Sequence, residues 1–318
     1  MVFLHIIETL LPIVLLVALG VMLFRSGFVR PEHRAILDKL VYWIFLPALL
    51  IIKIAEAGSL DSTVGWVVLA MTLLTLTTAG AGLLCWLIFS RERAAFGVVI
   101  QGAFRGNLAF VGLPVIELAG ADDRTLAIAA LTLAPIIAIY NLLAVPVLTL
   151  PNHTRDSDTH LSKTLMDTLH ALVTNPFIIA CVAGLLLGIL GVDQIRPIAA
   201  TLNLLGQPAA PLALISLGGA LTIYQVHNHL GLAAITTTVK LGLGPALAVL
   251  LAWALQLDQQ QAFAFLILAS TPTAVASYVL VTQLRGDEGL AASIIATTTL
   301  ACPFSLAASL AVIHAWPA

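Results

Sequence analysis

Charge is what this chain has least of. Asp, Glu, Lys and Arg make up 9% of its 318 residues, against about 25% in an ordinary soluble domain. Hydrophobic residues make up 60%, and the mean hydropathy is +1.05. So few polar groups cannot cover a water-soluble globule, and the solvent for most of the chain is lipid. A formal net charge of −2 and the lack of any basic run exclude a nucleic-acid partner. Cysteine is scarce too: Cys85, Cys181 and Cys302 lie far apart, each within an apolar stretch. An odd count without ligand spacing argues against a disulfide framework and against a metal site. No histidine pair supplies a metal site either, and no cofactor is expected. Alternating strand patterns are missing. The opening MVFLHIIETLLP has no basic leader and reads as a retained first span rather than a cleaved signal peptide.

What remains is helical. A helix needs about 20 mostly apolar residues to cross a bilayer. Ten stretches qualify, at roughly 5–24, 36–57, 64–89, 94–119, 124–149, 176–191, 195–224, 230–255, 261–284 and 288–314. The sixth is short and can begin earlier, within TLMDTLHALVTN. The expectation is an all-α polytopic membrane protein with ten spans. If the N-terminus lies outside, nine Lys and Arg fall on inside loops and three outside, while Arg105 and Lys240 fall within spans. That asymmetry predicts that both termini lie outside.

The longest polar stretch, PNHTRDSDTHLSK from Pro151, divides the chain into residues 1–150, a cytoplasmic linker 151–175, and residues 176–318. The flanking halves repeat. Pro12 matches Pro176, Gly20 matches Gly184 and Pro47 matches Pro211, all 164 positions apart. Later the offset drifts, with GADD at Gly120 against GDEG at Gly286 and Pro135 against Pro303. Five is odd, so the second half must enter the membrane the other way round. That is an inverted repeat, a construction typical of secondary transporters.

Two spans carry interruptions at related positions. In FRGNLAF of the fourth span, flexible Gly106 and the poor helix former Asn107 follow Arg105. In ASTPTAVASY of the ninth, Pro272 removes a backbone donor between Thr271 and Thr273. Arg105 lies about 11 residues into its span, or ~17 Å, near the middle of a ~30 Å core. Pro272 lies equally deep from the other side. Broken helices at matching positions are the best sequence pointer to a binding site, and half-helix N-termini suit an anion. Arg105, Asn107, Thr271 and Thr273 are therefore the candidate substrate-binding residues, with Gly106 and Pro272 as the breaks. Lys240 is the other mid-depth cation, either touching substrate or standing in for an ion at an unwound carbonyl end. Gln101, Tyr140, Asn141 and Asn203 can line a cavity or link helices. Glu8 and Glu117 are expected nearer the surface, where a solvated carboxylate needs no special role.

The stretches LPIVLLVALG, FLPALL, QGAFRGNLAFVGLP, NPFIIACVAGLLLG, APLALISLGGAL and TPTAVASYVLVTQLRGD together resemble the auxin efflux carrier family in its bacterial form, over nearly the whole chain. The resemblance implies two inverted five-span repeats with crossing fourth and ninth spans. It implies a scaffold of spans 1, 2, 6 and 7 beside a transport domain of spans 3–5 and 8–10. Carboxylate substrates such as malate, malonate or auxin-like acids, and a homodimer joined through the scaffold, are also implied. In PIN-type members a proline precedes the asparagine that meets the substrate carboxylate. Here Asn107 fits the asparagine, Gly106 occupies the proline position and Pro272 fits the second break. The long regulatory loop of the plant carriers is missing.

The expected function is a secondary transporter for small organic anions working by alternating access in an elevator-like or rocking motion. The alternatives are a sodium-coupled symporter similar to bile-acid carriers and a membrane sensor that binds without transporting. No Asp or Glu lies at mid-depth beside the breaks, which speaks against an acidic proton relay. No nucleophile–base pair suggests an enzyme.

The odd-span inverted topology is testable with single cysteines in a background lacking Cys85, Cys181 and Cys302. A cysteine at Asp158 should react with an impermeant maleimide only from the cytoplasm, and one at Asp122 only from outside. Labelling of both from one side would break the repeat.

Overall fold

The computed structural model describes residues 2–57, 63–150, 174–191, 196–223, 230–284 and 286–317. Most of the polar linker, and any earlier start of the sixth span, lie outside the described residues. The described chain is helical in all its long elements. Among the described residues, seven helices are long and apolar enough to cross a membrane: Ile6–Arg25, Glu32–Glu56, Thr63–Phe89, Asp123–Thr149, Arg196–Thr222, Leu230–Ala254 and Glu288–His314. They correspond to spans 1, 2, 3, 5, 7, 8 and 10 of the sequence reading. Pro176–Ile189 is a shorter apolar helix at the sixth position. The fourth and ninth are each in two pieces, Arg93–Phe104 with Leu108–Leu118 and Gln259–Ala269 with Ala276–Gln283. Side chains such as Leu15, Met22, Ile88, Phe89, Leu250, Trp253 and Phe304 point outward. Such large apolar groups suit an exterior in contact with lipid, and this is a multi-pass membrane protein.

The elements are labelled α1 (Val2–Arg25), α2 (Pro31–Leu40), α3 (Leu46–Glu56), α4 (Thr63–Phe89), α5 (Arg93–Phe104), α6 (Leu113–Leu118) and α7 (Asp123–Thr149). The second part has α8 (Pro176–Ile189), α9 (Arg196–Gly206), α10 (Ala209–Ile223), α11 (Leu230–Thr238), α12 (Gly244–Ala254), α13 (Gln259–Ala269), α14 (Ala276–Gln283) and α15 (Glu288–His314). Wide π-turns continue α2 into α3 at Val41–Phe45, lead into α6 at Leu108–Gly112, and join α11 to α12 at Val239–Leu243. Asp122 and Asp287 start α7 and α15 in the same way, each accepting a backbone N–H three residues on, from Thr125 and Leu290. Each carboxylate satisfies an otherwise orphaned donor and meets the positive end of the helix.

Glycine sets the closest packing. Between hydrocarbon-soluble helices there is little hydrophobic drive, so association needs backbones that approach closely. Gly20 of α1 faces α10, where an added Cβ would collide with the Ile215 carbonyl oxygen. Gly218 of α10 faces back, and a Cβ there would collide with the Val17 carbonyl. On the other side Gly184 and Gly188 of α8 lie against α3, where a Cβ would fall 2.9 Å from the Ile51 oxygen and 3.0 Å from the Ala55 oxygen. Gly206 of α9 lies on Leu49 of α3, with the Leu49 Cα 3.0 Å away. A second set of helices packs around α4, which lies against α5, α7 and α13, while α11 lies along α15.

Gly218→Ala forces one backbone off another, so it should destabilise the protein by about 1–3 kcal/mol or more, the range for overpacking. Gly80→Ala, which enters open space on α4, should not destabilise. Thermal unfolding of the two purified variants checks the contrast, and equal melting temperatures would contradict the role given to the α1–α10 contact.

Candidate functional site

The two interruptions meet. α5 ends at Phe104, and Arg105 leaves the helix in an extended conformation with φ −77° and ψ 96°. α13 ends at Ala269, and the helix resumes at Ala276. Between them Gly106 and Thr273 form an antiparallel bridge. Asn107 N–H donates to the Pro272 carbonyl at 2.8 Å, and Ala274 N–H donates to the Arg105 carbonyl at 3.0 Å. Each break therefore supplies the backbone partners that the other has lost, as a lipid setting requires.

Side chains complete the joint. Thr273 Oγ1 donates to the Gly102 carbonyl at 2.8 Å, which holds the second break against the end of α5. Thr273 N–H donates to Thr298 Oγ1 at 3.1 Å. Thr271 Oγ1 turns back to the Leu268 carbonyl at 2.7 Å. Pro272 brings no N–H, and its ring disfavours helix at Thr271. The glycine at 106 has a local cause: a Cβ there would stand 2.5 Å from Thr271 Oγ1 and 3.3 Å from Lys240 Nζ.

A cavity of about 460 Å³ opens on one side of this joint. It is lined by Asn107 and Phe110, by Ala274, Val275 and Ala276, by Ser216 and Leu217 of α10, and by Arg34, Asp38, Lys39 and Tyr42 from the second span. Asn107 is the residue that caps the Leu108–Leu118 segment, and Val275 caps α14. Both half-helix N-termini thus face one cavity. Arg34 lies 3.3 Å from Asp38, one helical turn apart, and Ser216 hydrogen-bonds the Asp38 carboxylate. Asn107 Nδ2 is buried without a hydrogen-bond partner among the described residues. A buried donor left unpaired is costly, so a ligand acceptor has a ready place there.

The other sequence candidates fall elsewhere around the joint. Arg105 is buried, at 7% exposure, and does not line this cavity. One of its amino groups donates to Asn141 Oδ1 at 2.9 Å, the other is enclosed without a partner among the described residues, and Tyr42 and Tyr140 lie nearby. Tyr140 hydroxyl meets the Gly106 backbone and Thr75. Gln101 is buried with neither end of its amide paired among the described residues, beside Thr273 and the Ser277 hydroxyl, likewise without a partner among them, at a small void. Thr271 and Thr273 are spent on the joint itself. Asn203 is half-buried on α9 and lines neither this cavity nor the void at Gln101. Pro272 borders a second, apolar cavity of about 350 Å³ between α1, α10 and α15.

Two expectations need correcting. Glu117 is not a solvated surface carboxylate: it is half-buried, and one of its oxygens is enclosed with no partner among the described residues. The cause is its place at the end of the Leu108–Leu118 segment, whose preceding residues Leu113 to Ile116 are all buried. Arg34 and Lys39 belong to the nine cations that the sequence places on inside loops, yet they line the cavity with Asp38. The i,i+4 spacing of Arg34 and Asp38 in PEHRAILDKL was visible, but nothing in it told that this turn would face Asn107.

Curated proteins give no match to this chain. The family described as membrane transport protein matches residues 5–309, nearly the whole chain, and the chain belongs to it, a family of auxin-efflux-carrier-like transporters rather than of enzymes.

Proposed function

We propose that this protein is a secondary transporter of small organic anions, such as malate, malonate or auxin-like carboxylates, which bind in the 460 Å³ cavity beside Asn107. The observation that carries the reading is electrostatic. Each half-helix N-terminus offers roughly +0.5 of a charge, and two of them face this cavity. Arg34 and Lys39 add two cations, against the carboxylate of Asp38, the one carboxylate among the described lining residues, which Arg34 and Ser216 already engage. The surplus is positive and the walls are largely apolar, so an anion is favoured over a cation or a neutral polar solute. Asn107 Nδ2 supplies a donor for one carboxylate oxygen. Arg105 adds positive potential from behind the joint, held in place by Asn141.

On this reading alternating access uses two sets of contacts. The glycine-mediated contacts join spans 1, 2, 6 and 7 into a scaffold, and the broken helices travel with spans 3, 5, 8 and 10. An inverted repeat is supported by a contact as well as by spacing. Gly20 packs on the Ile215 carbonyl and Gly184 on the Ile51 carbonyl, so glycine and partner are both displaced by 164 positions, in opposite directions along the chain. On this reading the ten spans form two crossed halves with both termini outside the bacterial inner membrane.

Uptake of a panel of labelled mono- and dicarboxylates into proteoliposomes tests the function. Saturable uptake of at least one acid is expected, and an inside-positive potential should accelerate it. Binding without uptake would instead identify a sensor. Arg105→Gln keeps a hydrogen-bonding group beside Asn141 but removes the charge. It should weaken binding of the transported acid about tenfold, or ~1.4 kcal/mol, with ligand-free stability retained. If stability collapses while the folded fraction binds normally, Arg105 is a brace and has no part in binding.

A further inference from the structure

A void at the joint shares no lining residue with the anion cavity and carries the opposite polarity. Phe104 and Ala269 are the last residues of α5 and α13, the two half-helices that end at the breaks. Both line one small void, together with Lys240, Tyr140, Thr75, Thr78 and Gly244. A helix C-terminus carries about −0.5 of a charge, so two of them converging present close to one negative charge. Lys240 is buried at 5% exposure, on the π-turn Val239–Leu243 in the middle of its span. Its Nζ reaches the joint itself, 3.3 Å from where a Cβ on Gly106 would stand. No carboxylate lines the void among the described residues. An ammonium buried at this depth is strongly disfavoured unless something opposes its charge. Around this void the carbonyl ends of α5 and α13 are the groups that can oppose it.

We propose that Lys240 is a built-in cation for the joined breaks: its ammonium occupies the position where two half-helix C-termini would otherwise need a bound monovalent cation. The joint is then held by a charge that belongs to the chain, and the anion on the other side is moved without a sodium ion. The wide turn at Val239–Leu243 is part of the device, since an inserted residue in the helix re-aims the side chain at that point. Lys240 is a positioning residue that acts through the breaks, and it does not meet the transported anion. The role builds on the anion-transport reading above, but its test needs no carboxylate at all.

Thermal unfolding of the purified protein is followed in sodium, potassium, methylammonium and N-methylglucamine chlorides at equal ionic strength. For the wild type the melting temperature should be the same in all four salts. Lys240→Ala opens the position to a small cation, so sodium or methylammonium should raise its melting temperature by several degrees, saturably, relative to bulky N-methylglucamine. Lys240→Arg should stay indifferent, as the wild type does. Lys240→Ser leaves the same space and carries the comparison if the alanine variant does not fold. Saturable stabilisation of the wild type by sodium would overturn the proposal, because the cation position would then be vacant beside Lys240. Equal stability of the alanine or serine variant in all four salts would overturn it too, leaving Lys240 a packing residue. Neither result bears on anion uptake, which stands or falls separately.

Discussion

An unwound stretch of backbone inside a bilayer must find its hydrogen-bond partners within the protein. Here two such stretches satisfy each other. The bonds from Asn107 N–H to Pro272 O and from Ala274 N–H to Arg105 O are the condition under which both helices can stop at mid-depth. Neither break could stand alone, since each exposed N–H or C=O in hydrocarbon costs several kcal/mol. Once the two are joined, the four helix ends around them are no longer a liability and become a source of fixed charge.

That charge is sorted by direction. The N-termini of the two resuming segments open on the cavity that holds Asn107, Arg34 and Lys39. The C-termini of the two arriving segments close on Lys240. On the proposed reading, one face of the joint favours an anion and another holds a cation. The small residues follow from this. Gly106 has no room for a side chain between Thr271 and Lys240, and Gly102 offers its carbonyl to Thr273.

Much of this was legible in the sequence, and for physical reasons. Apolar runs of bilayer length leave few alternatives to a spanning helix, so the long helices were readable to within a few residues. Pro272 and the Gly106–Asn107 pair break helices through their own chemistry, so the breaks were readable too. The pairing of the breaks was not, because a bridge between Gly106 and Thr273 depends on how distant spans cross. Nor was the second-span wall of the cavity. Arg34, Asp38 and Lys39 look like ordinary charges at a helix start, and only the approach of Ser216 and Asn107 gives them a shared cavity. Glu117 was misjudged for a similar reason: its position near a span end suggested water, whereas the residues before it, Leu113 to Ile116, are buried.

The central claim is that the two resuming half-helices and the second-span cations hold an anion between them. The most direct measurement is an experimental structure of the protein with a saturating concentration of an acid that it transports. The account predicts density for the carboxylate in the 460 Å³ cavity, with an oxygen about 3 Å from Asn107 Nδ2 and near the start of the Ala276–Gln283 helix. Density in the apolar cavity beside Pro272 and Leu300, with the Asn107 amide left unpaired, would contradict it.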